Sequence, residues 1–126
     1  MATEILVNDG GAPARILPFT AGSTVSGGEA VIMSADGQID EAGAAATNVL
    51  GFMFVDATSG NNCSVITGKG VVVNAYVSGT AASGALLQVG GAGDLKAGTT
   101  ADAGVAIMID DDEGGTDVAL NKVLLI

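Results

Sequence analysis

Apolar and polar positions alternate over short spans along the whole chain, and each span ends at a cluster of Gly, Asn, Asp or Ser. That is the pattern of short strands joined by tight turns. It is clearest in residues 50–73, LGFMFVDATSGNNCSVITGKGVVV: an apolar run, a polar turn, a second run, a Lys and a third run. Residues 103–126, AGVAIMIDDDEGGTDVALNKVLLI, keep the same order. Aligned without a gap, Gly51 meets Gly104, Val65 meets Val118 and Lys69 meets Lys122. The small-residue turns at Ser26-Gly27 and Ser83-Gly84, and the hairpin signals Gly37-Gln38-Ile39 and Gly93-Asp94-Leu95, extend the repeat over most of residues 26–126. The turn spacing predicts about eight to ten short strands and little helix, an all-β barrel or sandwich.

Position along the chain sharpens this. Residues 15–126 are expected to form one small β-barrel domain. Pro18 in the run RILPFT marks an edge strand, because a proline cannot donate to a ladder. In VLGFMFV, residues 49–55, Phe52 and Phe54 share one face while Met53 and Val55 share the other. A strand apolar on both faces needs a barrel interior on one side and a second element or a neighbouring subunit on the other. The predicted core is Phe52, Phe54, Val65, Val72, Val105, Ile107, Val118 and Leu125. Residues 1–14 stand outside the repeat. Their apolar triplet Ile5-Leu6-Val7, set off by Gly10, Gly11 and Pro13, is either a terminal or edge strand of the protein's own sheet, or an arm that adds a strand to a partner.

Composition narrows the functions. The chain has 126 residues, enough for one domain that buries roughly two-thirds of its unfolded surface. The net charge is −10, with only Arg15, Lys69, Lys96 and Lys122 positive, which disfavours nucleic acid and anionic membranes as partners. The opening MATEILVNDGG lacks the pattern of a signal peptide, and no apolar run approaches a membrane span. A soluble protein made in the cytoplasm is expected.

Candidate chemistry is sparse. There is no His, and Cys63 is alone, so the usual triads and soft zinc sites are missing. The run Asp110-Asp111-Asp112-Glu113 has carboxylates suited to a hard cation, but not the alternation of an EF-hand loop. It reads first as a solvated hairpin loop. Gly68-Lys69-Gly70 lacks the spacing and following helix of a phosphate loop. Asp40-Glu41 and Asp56 are the carboxylates open to acid–base work, without the aromatics that usually line a substrate site. No cofactor, no metal and no enzymatic activity are expected.

The order of a small-Gly turn before a strand, a Gly-x-Ile or Gly-x-Leu hairpin, an Ala-rich loop, Leu50-Gly51-Phe52, a Gly-Asn loop and an apolar C-terminus resembles the capsid decoration, or cement, proteins of tailed bacteriophages, including the lambda-like head decoration family. The resemblance covers residues 15–126. It implies a non-enzymatic β-barrel or β-tulip protein of the virion that binds the major capsid protein on the outer surface of the head, stabilises the capsid as a homotrimer, and docks through an N-terminal arm, here Ile5, Leu6 and Val7. A carbohydrate- or adhesin-type surface module is the alternative.

Overall fold

The computed structural model describes residues 5–8, 15–79, 81–98, 103–109 and 119–126. These form eleven strands: β1 (Leu6–Asn8), β2 (Arg15–Ala21), β3 (Ala30–Ala35), β4 (Gln38–Glu41), β5 (Gly51–Met53), β6 (Asn62–Thr67), β7 (Val72–Val77), β8 (Leu86–Gly91), β9 (Asp94–Ala97), β10 (Ala106–Met108) and β11 (Ala119–Leu125). Among the described residues there is no α-helix. The all-β barrel class expected from the alternation is the one found.

The barrel is built twice. Strands β2 to β6 close into a ring in the order β2-β4-β3-β5-β6. The remaining sheet runs β1-β7-β11-β10-β8-β9, and a further β7–β9 pairing closes its last five strands into a second ring. Replacing β2, β3, β4, β5 and β6 by β7, β8, β9, β10 and β11 turns one strand order into the other. Even the single parallel contact recurs: Ala21 pairs Ile39 in the first ring, and Val77 pairs Leu95 in the second. The irregularity between Met33 and Ala35 in the first hairpin recurs between Val89 and Gly91.

Strand pairing fixes the repeat more finely than the ungapped alignment does. Ala30 and Leu86 begin matching strands, as do Gln38 and Asp94, a separation of 56 residues. Gly51 then matches Ala106, 55 residues on. Leu17 pairs Val65 and Val73 pairs Val123, so Val65 matches Val123, 58 residues on. Gly51 therefore does not correspond to Gly104, nor Val65 to Val118, nor Lys69 to Lys122. The first mismatch is two residues, a slip that keeps every side chain on its face and so leaves the apolar pattern unchanged.

Each ring holds its own apolar interior at matching positions. Ala21, Val25, Val31, Ile39, Met53 and Val65 fill the first, joined by Cys63; Val77, Ala81, Leu87, Leu95, Met108 and Val123 are buried in the second. A third layer lies between the rings, where Ala30, Ala42, Phe52 and Ile66 join the cluster of the second ring. Strand β5 is thus buried on both faces, as expected: Met53 points into its ring and Phe52 into the junction. The cover comes from the chain's own second half. Of the expected core, Phe52, Val65 and Leu125 are buried. Phe54, Val72, Val105 and Ile107 are only half-buried, and Val118 lies outside the described residues. Val72 shows why: β7 alternates, with Val73, Ala75 and Val77 inward and Val72, Asn74 and Tyr76 outward.

Candidate functional site

The triplet Ile5-Leu6-Val7 is on the sheet. Strand β1 lies antiparallel on the outer edge of β7, with Leu6 opposite Val73 and Asn8 opposite Val72. The Asn74 N–H donates to the Ile5 carbonyl at 2.7 Å, and the Ile5 side chain is 6% exposed, within the core of the second ring. Of the two placements open from the sequence, the structure has the edge strand of the protein's own sheet.

Among the described residues, no strand covers the matching edge in the first ring. Residues 15–20 of β2 pair β6 along one side, while on the other side only Thr20 and Ala21 reach β4. Thr20 donates its N–H toward the hairpin, to the Gly37 carbonyl, and Ala21 donates toward β6, to the Asn61 carbonyl. Backbone groups alternate along a strand, so Ile16 and Pro18 turn theirs to the uncovered side. Ile16 is 41% exposed and Leu17 38%, whereas Val73, the counterpart of Leu17, is fully buried. Pro18 occupies the edge position expected of it.

The seam between the rings gathers carboxyl groups. Ala30 donates to the Gly93 carbonyl at 2.9 Å, Gly93 donates to the Ala42 carbonyl at 2.9 Å, and Ala45 donates to the Val89 carbonyl at 2.8 Å. Gly93 has φ +77°, and a Cβ there would stand 2.8 Å from that of Glu29. This close approach brings Asp94 beside Glu29 and Glu41. Burial foremost, with the charges of Glu41 and Asp94 and a hydrogen bond with Glu41, raises the Glu29 carboxyl to about 7, against the pull of the Ser26 N–H that it accepts at 2.6 Å. Burial and the charge of Glu41 also raise Asp94. Of these three only Glu41 was among the carboxylates open to acid–base work from the sequence. Glu29 and Asp94 come from different rings, and no local spacing brings them together.

The other candidates have structural tasks or fall elsewhere. Asp40 accepts from the Ser23 hydroxyl at 2.5 Å, and Asp56 accepts from the Gly27 N–H at 2.7 Å, so both tie down turns. Cys63 is buried in the first ring, which raises its thiol above the ordinary range and leaves it mostly protonated. Gly68-Lys69-Gly70 is the bend between β6 and β7, beside a cavity of about 300 Å³ lined by Val49, Phe52, Lys69, Val105, Leu125 and Ile126. A second hollow of about 440 Å³ lies over Val25, Ser26, Asp56 and Asn62. Asp110-Asp111-Asp112-Glu113 lies outside the described residues. Among the described residues, no group of three or more His, Cys, Asp or Glu is placed to hold a metal ion, and no helix is long and apolar enough to cross a membrane.

No family profile and no curated protein sequence matches the chain. Among solved structures, the head fiber gp8.5 N base of bacteriophage phi29 is similar in fold, with a TM-score of 0.70 at 12% identity over 90% of this chain and 95% of that one. At this identity the comparison speaks for the fold, and it covers nearly the whole of both chains.

Proposed function

We propose that the protein is a non-enzymatic structural component of a phage head, seated on the outer surface of the shell against the major capsid protein. The observation that carries this reading is the likeness to the phi29 head fiber base over nearly the whole chain. It comes independently of the sequence resemblance to head decoration proteins, and both support a head-associated virion protein; the outer surface is the finer part of the proposal. The charge of −10 fits the role, since mutual repulsion keeps free copies apart until they dock.

Within this reading the protein either braces the shell, as a cement protein does, or forms a base that carries a fiber. The phi29 comparison favours the base; the sequence resemblance favours the brace. The homotrimer stays part of the proposal on the resemblance alone, because the cover that β5 needs comes from the second ring rather than from a neighbouring subunit.

Mixing the purified protein with heads that lack it, then sedimenting, tests the reading. Many copies bound per head are expected. A rise in the temperature at which those heads release DNA identifies a brace, and binding without a rise identifies a base. A protein that stays in the supernatant contradicts both.

A further inference from the structure

The two rings are duplicates, yet one strand edge is filled and its counterpart is not. Residues 72–74 of β7 carry β1 along their outer side. Their counterparts, 56 positions earlier, are Ile16, Leu17 and Pro18 on β2. Where β1 sits, Val71 is 2% exposed and Val73 fully buried. Where it does not, the counterpart Arg15 is exposed, and Ile16 and Leu17 stand 41% and 38% open. An edge strand left to water is usually short, charged, bulged or interrupted by a proline, and β2 carries Arg15 and Pro18. This one also keeps two adjacent large aliphatic side chains in the open, at positions whose counterparts in the second ring are covered by β1.

Pro18 says which molecule it is not. Its counterpart Asn74 gives its N–H to the Ile5 carbonyl, the bond that anchors β1. Proline has no such hydrogen. A copy of β1, from this chain or from a second one, loses that anchor on β2. The Ile16 N–H and the Ile16 and Pro18 carbonyls remain available to a strand that does not call on position 18 as a donor. Attraction by Ile16 and Leu17, combined with exclusion by Pro18, is how a site selects one strand over another.

We infer that the Ile16–Pro18 edge of β2 is a docking seat for an extended, apolar segment of a different protein, which pairs with it as an added strand. This rests on the head-protein reading above, under which that segment belongs to the shell. Arg15, at the start of the seat, is one of four positive side chains in an acidic chain. It suits an acidic residue at the end of the incoming strand.

Two measurements on the full-length protein test the seat. In the first, Leu17→Asp and Val55→Asp are compared with the wild type for binding to heads and for melting temperature. Val55 is also exposed, at 52%, but lies off the seat. Leu17→Asp is expected to lose at least tenfold in bound copies with its melting temperature unchanged, while Val55→Asp binds normally. If the wild type does not bind heads, the head-protein reading fails and the seat with it. If wild type and Leu17→Asp bind alike, only the seat fails. If the wild type forms concentration-dependent oligomers that Leu17→Asp abolishes, the occupant is a second copy and the inference is overturned. In the second measurement a synthetic peptide of residues 2–10 is titrated into wild type and Pro18→Asn, followed by amide chemical shifts. Shifts on β2 are expected only in Pro18→Asn. Equal shifts in the wild type contradict the exclusion of β1 by Pro18.

Discussion

Glu29 is a carboxyl group placed where ionisation is unfavourable. Its value in the folded chain is raised from 4.5 to about 7, so between these limits the folded state holds more protons than the unfolded one. Stability therefore falls as pH rises from 4.5 toward 7 and levels off above it. Asp94 is shifted in the same direction, so its contribution has the same sign and begins at its ordinary value of 3.8. Urea midpoints measured across that window should decline in the wild type and decline less in Glu29→Gln, which keeps the acceptor for the Ser26 N–H. A midpoint that climbs over the window would refute this picture of the seam. Gly51 offers a second check at the same scale, because a Cβ there would run into the Ile66 carbonyl oxygen across the β5–β6 ladder. Gly51→Ala should cost about 1–3 kcal/mol by overpacking, read from the shift in denaturation midpoint. Phe52, 1% exposed, should cost roughly 3–5 kcal/mol as Phe52→Ala. Half-buried Phe54 should cost clearly less, since less of its ring leaves water on folding.

At the scale of elements, β1 decides between the two roles open to the N-terminal residues. Ile5 is packed into the second ring and its carbonyl holds Asn74. Deleting residues 2–11 should therefore lower the melting temperature by several degrees, and should speed hydrogen exchange at the Asn74 amide. An unchanged melting temperature would return Ile5-Leu6-Val7 to the role of a free arm that orders only on its partner. The same elements show what the sequence could convey. Alternation located the strands, Gly37 and Gly93 located the two hairpins, and Pro18 located an edge, because each is a local property. The register of the repeat was hidden: the Gly-apolar signature slides by two residues along a strand without changing which side faces inward. The carboxyl cluster was hidden as well. Glu29 and Asp94 are neighbours only because the ring-to-ring seam places Gly93 against Ala30.

Taken whole, the protein is two copies of one five-stranded ring that need each other. The apolar layer around Phe52 and Ile66 belongs to the second ring's cluster as much as to the first. Separated rings would expose it, so thermal unfolding should be a single transition, with calorimetric and van't Hoff enthalpies in agreement. Two resolved transitions would contradict the shared layer. Duplication also creates the asymmetry on which the functional account turns: of two equivalent strand edges, β1 fills one, and among the described residues no strand fills the other. A cryo-electron microscopy reconstruction of heads carrying the protein tests this most directly. The account predicts the first ring against the shell, with extended shell density alongside Ile16, Leu17 and Pro18 and β1 still seated on β7. A reconstruction in which the β2 edge faces solvent, and the protein holds the shell by another surface or not at all, would contradict it.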